Sequence, residues 1–347
     1  MVLVPLICLG LLEAGLHLAG FGYPTAFLLP FSADGQKIFI QNNRFGWRFF
    51  GAQMAREPAD IALPQAKESG TVRIFIFGES AAFGDPQPEF GLPRMLQAML
   101  ELRHPGVKFE VANTAMTGIN SHVILPIARD CARAGGDIWV IYLGNNEVIG
   151  PFGAGTVFGR QTPPLPFIRA SLAFKATRTG ELFDSLFHQF HPPPAGKSEW
   201  GGMEMFLGQQ VCASDPRMDG VYDSFAKNLT DIIRLGHESG AGIVVSTVAV
   251  NLKDCAPFAS QHRADPRQRN SPDGRSFSAP ASKPSRPGKF QKPPRGFKPP
   301  GSWMTRLPNS AFGRRNARSR RATWPPRKSS LPPRATWTQC VFVVTPG

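Results

Sequence analysis

"VRIFIFGESAAFG", residues 72–84, runs an apolar, β-branched and aromatic stretch directly into Gly78-Glu79-Ser80. Apolar runs of this length bounded by turn residues read as buried parallel strands, and the strand signal covers 71–78. Ser80 then has two readings. It is either an ordinary serine capping the next helix or a nucleophile held at a strand-to-helix turn. The neighbouring stretches decide between them.

Working outward, "FGLPRMLQAMLELR" (90–103) places Leu92, Leu96, Met99 and Leu100 on one side of an amphipathic helix. "VKFEVAN" (107–113) reads as a second strand and "SHVILPIARDCARAG" (121–135) as a helix bent near Pro126. "DIWVIYLG" (137–144) is a third strand. A helix over 221–240 and a fourth strand over 242–248 follow. Strands alternating with helices imply an α/β fold, a parallel sheet with helices on both faces. No internal repeat is visible.

In such sheets ligands bind beyond the carboxyl ends of the strands. Ser80 follows the first strand, Gly118 in "NTAMTGINS" the second, and Asn146 in "LGNNE" the third. Singly, each reads as a cap or turn residue. Their joint placement after three consecutive strands points to acyl transfer. The Ser80 hydroxyl would attack a carbonyl, and its own N–H, the Gly118 N–H and the Asn146 amide would meet the developing negative charge. The turn is not a G-x-S-x-G elbow, because Ala82 stands where that motif needs glycine.

These residues resemble the blocks of the SGNH (GDSL) hydrolases, over roughly residues 70–250. The G-D-S block reads here as Gly78-Glu79-Ser80, the glycine block as Gly118, and the G-x-N-D block as Gly144-Asn145-Asn146-Glu147. Both aspartates have become glutamates, Glu79 and Glu147. The resemblance implies a three-layer, flavodoxin-like fold and a serine esterase acting on small esters or acylated glycans without cofactor or metal. The glutamate version looks like a bacterial membrane-anchored subgroup that carries tetratricopeptide repeats.

The family's last block, D-x-x-H, supplies the base and its orienting carboxylate. No Asp in this chain has a His three residues later, and Asp184 with His188 is one residue too long. His122 follows Gly118 closely and could line the pocket, though a histidine at a helix start is more often structural; His188, His191 and His262 are unsupported substitutes. No catalytic base is identifiable. The chain is therefore expected to be impaired as an enzyme, and its sheet incomplete at the C-terminal end. A non-catalytic, membrane-anchored binding or scaffold protein on the same fold is the alternative.

The charge is unevenly distributed. Residues 266–347 hold 18 Lys+Arg against one acid, Asp273, a net of +17, together with 15 of the 34 prolines. Residues 1–265 hold 21 Lys+Arg against 24 Asp+Glu, a net of −3. The basic, Pro-rich tail has no core-forming periodicity, so it reads as a disordered arm or as a GC-rich gene read in the wrong frame. A frameshift would explain both the tail and the missing histidine, and nucleic acid is not an expected partner of the acidic remainder.

At the other end, "MVLVPLICLGLLEAGLHLAGFG" (1–22) is apolar apart from Glu13 and His17, and reads as a membrane anchor with the body outside the cytoplasm. The expected divisions are the anchor at 1–22, an approach segment at 23–69, the hydrolase domain at 70–265 and the tail at 266–347. Within the hydrolase domain, 150–218 is read as a lid or packed insertion whose Arg169, Lys175 and Arg178 could meet an anionic substrate. The five cysteines (8, 131, 212, 255 and 340) show no metal spacing.

Overall fold

The computed structural model describes residues 3–33, 35–190, 200–249 and 341–344. His191, His262 and, apart from 341–344, the basic tail lie outside the described residues. All described elements belong to one compact unit.

The chain opens with α1 (Leu3–Leu18), then β1 (Leu28–Ala33), β2 (Gln36–Gln41), α2 (Trp47–Phe50) and β3 (Ala62–Pro64). The three strands form an antiparallel sheet in the order β1-β2-β3. Residues 23–69, expected as an approach segment, thus carry a small sheet. Its strands are short and mostly half-exposed, so they lack the apolar run that marked the main strands.

The main sheet begins with β4 (Thr71–Gly78), the stretch that ends in Gly78-Glu79-Ser80. It leads through α3 (Ser80–Phe83) and α4 (Leu92–Arg103) to β5 (Lys108–Asn113), then α5 (Ser121–Cys131) and β6 (Ile138–Tyr142). After α6 (Leu165–Phe174), α7 (Arg178–Phe190) and α8 (Arg217–Glu238) comes β7 (Gly242–Ser246), and β8 (Val341–Val344) lies far along the chain. The order is β5-β4-β6-β7-β8, with the first four strands parallel and β8 antiparallel at the edge. This antiparallel edge strand falls within the segment read as an unstructured tail, whose other residues lie outside the described ones, and the parallel part of the sheet ends at β7. The Val-Phe-Val-Val run of β8 has the β-branched and aromatic composition that pairs on a sheet.

Period-2 alternation sends the side chains of β4 to two cores. Phe75 and Phe77 join Trp139, Ile141, Ile124 and Ile232 under α5 and α8. Ile74 and Ile76 face the other way, against Leu96 and Leu100 of α4. This is why β4 reads as a continuous apolar run rather than an alternating one. The exception on it, Arg73, is fully buried and is satisfied by Glu110 at 2.8 Å, the Pro64 carbonyl at 2.8 Å and the Ala134 carbonyl.

The 1–22 segment differs from the span expected of it. Only Leu3–Leu18, 16 residues, is helical, about 24 Å at 1.5 Å per residue against a hydrocarbon core of ~30 Å. Among the described residues no helix is long and apolar enough to cross a membrane. Glu13, the costly residue in a spanning helix, has a different use. Its carboxylate accepts hydrogen bonds from the N–H groups of Arg178 and Thr179, both at 2.8 Å, and from Thr179 Oγ1 at 2.7 Å. It therefore caps the N-terminus of α7 from another helix.

Candidate active site

The route of the chain fixes where the site falls. From β4 it moves to β5 on one side, then crosses back to β6 on the other. The carboxyl end of β4 is therefore the topological switch point, where the loops diverge and leave a crevice. Gly78 ends β4 because nothing larger fits: a Cβ there would lie 2.3 Å from the Tyr142 carbonyl oxygen and 2.4 Å from the Ala82 Cβ.

Ser80 is the first residue of α3, not its cap; Glu79 holds the cap position, with extended backbone. No described residue hydrogen-bonds the Ser80 hydroxyl, so the capping reading of this side chain fails. Ser80, Gly118 and Asn146, each from a different loop, line one cavity of about 160 Å³. Asp85, Thr117, Ile149, Trp200, Met203 and Phe206 complete most of its wall. The Ser80 and Gly118 N–H groups donate to no described acceptor. Asn146 Nδ2 gives one hydrogen to the Ile119 carbonyl at 3.0 Å, and a primary amide has a second to offer. Gly118 has φ +80°, and a Cβ on it would sit 2.8 Å from the Trp200 ring, so the indole covers its backbone closely.

The two glutamates brace these loops. Glu79, wholly buried, accepts from the N–H groups of Gly144 (3.3 Å), Asn145 (2.6 Å) and Asn146 (3.2 Å), tying the turn after β4 to the turn after β6. Glu147 accepts from Ser121 N–H and Ser121 Oγ, both at 2.8 Å, tying the turn after β6 to the start of α5, just past Gly118. Each long side chain spans to a neighbouring loop. Burial pushes the Glu79 carboxyl up to about 8, with the nearby Glu147 adding to the effect against three N–H donors. Burial likewise raises Glu147 to about 7, against its bonds from Ser121.

No histidine side chain among the described residues supplies a base here. His122 is buried, 3.1 Å from Asn228 Nδ2 through Nδ1 and edge-on to Phe152. Burial lowers its pKa to about 4, helped by the Arg169 charge, and it does not line the Ser80 cavity. Among the described residues lining that cavity there is no histidine and no basic side chain. Nor do any described His, Cys, Asp and Glu residues cluster as metal ligands.

The three cations read from the sequence as possible anion contacts are committed elsewhere, correcting that expectation. Arg169 binds Asn228 at 3.0 Å and Asp231 at 2.7 Å, Lys175 binds Asp184 at 2.9 Å, and Arg178 binds Glu181 at 3.1 Å. Asp85, Thr117 and Trp200 were not legible as site residues. Asp85 follows the Ser80 turn closely enough to have been a candidate, but nothing local marks Trp200, which arrives from the far end of the 150–218 insertion.

No family model matches the chain, and no curated protein matches it. Several solved structures are similar to it. TesA shows 12% identity, covering 49% of this chain and 76% of its own, at a TM-score of 0.23. AlinE4, an SGNH-hydrolase family esterase, shows 15% identity over 51% of this chain and 77% of its own, at 0.23. A variant of Axe2, an acetyl xylan esterase from Geobacillus stearothermophilus, shows 12% identity over 52% and 78%, at 0.23. Scores this low leave the functional reading to the geometry of the site itself.

Proposed function

We propose that the Ser80 cavity is the site of a serine ester hydrolase that works through an acyl-enzyme, and that the chain as written turns over slowly for want of a base. Ser80 Oγ attacks the carbonyl of a small ester or acylated glycan. The oxyanion is met by the Ser80 N–H, the Gly118 N–H and the Asn146 side chain; the alcohol leaves and water releases the acyl group. The supporting observation is that Ser80, Gly118 and Asn146 line one small cavity, and that the Ser80 and Gly118 N–H groups donate to no described acceptor.

Magnitudes set the expected activity. One oxyanion donor is worth about 10²–10³ in rate, whereas losing the nucleophile or its histidine costs around 10⁶ in kcat in a well-studied protease. An oxyanion hole and binding site alone retain ~10³–10⁴ over water. A non-catalytic binding or scaffold protein on the same fold is the second reading, favoured by the lack of a histidine among the described lining residues. The test is p-nitrophenyl acetate hydrolysis by the chain as written and by a version with the reading frame restored after about codon 265, each with and without Ser80→Ala. Hydrolysis in the restored protein that Ser80→Ala abolishes carries the esterase reading. Equal rates in that pair defeat it.

Association with a membrane through residues 1–22, with the body outside the cytoplasm, belongs to the same proposal. Its support is the apolar surface of α1, where Leu3 and Leu11 are 71% and 68% exposed. The helix length fits a surface or partial insertion better than a full span. Leu3→Gln with Leu11→Gln should shift the protein from the membrane fraction to the soluble one; an unchanged distribution counts against it.

A further inference from the structure

Among the described residues lining the Ser80 cavity, Asp85 is the one charged side chain. Its position is fixed from two directions. The Asp85 N–H donates to the Ser80 carbonyl at 3.1 Å, beside the Gly84 N–H at 3.0 Å, so its backbone is tied to that of the serine. Its Oδ2 accepts from Thr117 Oγ1 at 3.0 Å, and Thr117 is itself buried beside Gly118. Thr117 is its only side-chain partner among the described residues, which leaves Oδ1 open to a ligand.

No described cation offsets this carboxylate in the wall. Arg169, Lys175 and Arg178 are held by their own partners. Arg56 lies 6.0 Å from the centroid of the Trp200 ring but does not line the cavity. Beside the uncharged polar Ser80, Thr117 and Asn146, the wall has an apolar part from Ile149, Trp200, Met203 and Phe206, which suits a short acyl group and weakly screens a nearby charge. Among the described lining residues, an anionic substrate entering here meets a fixed negative charge and no compensating positive one.

We propose that Asp85, held by Thr117, is a specificity-determining residue that selects esters bearing a positive charge close to the scissile bond and rejects anionic ones. The proposal rests on the ester-hydrolase reading of the cavity and names the substrate class for it. Asp85 lines the cavity and is exposed to solvent, so the discrimination is modest: roughly 2–5-fold between a cation and its neutral isostere, as exposed ion pairs deliver.

The full chain carrying Ser80→Ala is titrated by ligand-observed NMR with acetylcholine, its neutral isostere 3,3-dimethylbutyl acetate, and anionic 2-sulfoethyl acetate. The expected order is cation, neutral, anion, and Asp85→Asn in the same background should bring the three together. Without that substitution, raising the salt to about 1 M should also collapse the order, because the Debye length falls to about 3 Å. An order that survives both Asp85→Asn and high salt overturns the proposal, as does failure of all three ligands to bind the folded protein. A charge order that Asp85→Asn removes, in a frame-restored protein whose ester hydrolysis is indifferent to Ser80→Ala, upholds Asp85 and sinks the esterase reading instead.

Discussion

Gly118 shows how narrow the tolerance at the site is. Its φ of +80° is left-handed, and the Trp200 ring already occupies the space a side chain would need. Gly118→Ala should therefore destabilise the fold by about 1–2 kcal/mol from the backbone alone and displace Trp200 from the cavity. A denaturation curve measures the first, and the loss of ligand binding the second. Pairing it with Trp200→Ala separates the effects: space is restored, the backbone strain remains, and the stability loss should persist. Ser80 itself was half legible. Its place after a strand was evident from the residues, but its cavity depends on where loops from β5 and β6 come to rest.

At the scale of elements, Glu13 changes the meaning of α1. In the sequence it is an acidic interruption of an apolar segment. In the structure it closes the N-terminus of α7, 165 residues away, using both carboxylate oxygens. Glu13→Ala leaves those N–H groups without their acceptor and should cost about 0.5–2 kcal/mol, the range for a lost helix cap. Hydrogen exchange should localise the loosening to the first turn of α7 and to α1; uniform exchange across the fold would contradict the capping role. The Glu79 and Glu147 braces work on the same scale. Each joins two loops that are distant in sequence, which explains why glutamate at these positions is compatible with the fold.

For the whole molecule, the buried titratable groups predict a pH dependence whose sign can be worked out. Glu79 at about 8 and Glu147 at about 7 both lie above the ordinary glutamate value of 4.5. The native state therefore holds protons that the unfolded chain has released, and stability falls as pH rises through that window. His122, lowered to about 4 from 6.5, acts in the opposite sense, losing stability as pH falls below 6.5. Above about pH 7 the glutamates dominate, so the unfolding free energy from urea titrations should decline from pH 7 to 8 by about 1–2 kcal/mol, at up to 1.36 kcal/mol per pH unit per group. Glu79→Gln should flatten that decline. A midpoint that rises across the interval, or a slope unchanged in the variant, would refute the assignment.

The sequence by itself determined the class of fold and the order of its parts. Thr71–Gly78 and Ile138–Tyr142 are continuous apolar strands because both of their faces are covered, and that burial is written directly into residue type. It also located Ser80, Gly118 and Asn146 at strand ends, since strand-then-turn is a local pattern. The N-terminal sheet was missed because its strands are short and half-exposed, and β8 because it lies in a tail whose average composition is that of a disordered chain. Only the tertiary structure decided which loops meet, that Glu13 caps the N-terminus of α7, and that Asp85, Thr117 and Trp200 wall the cavity. Those contacts join residues far apart in the chain, and the physical rules that select them act on distance in space, which no local pattern of residues records.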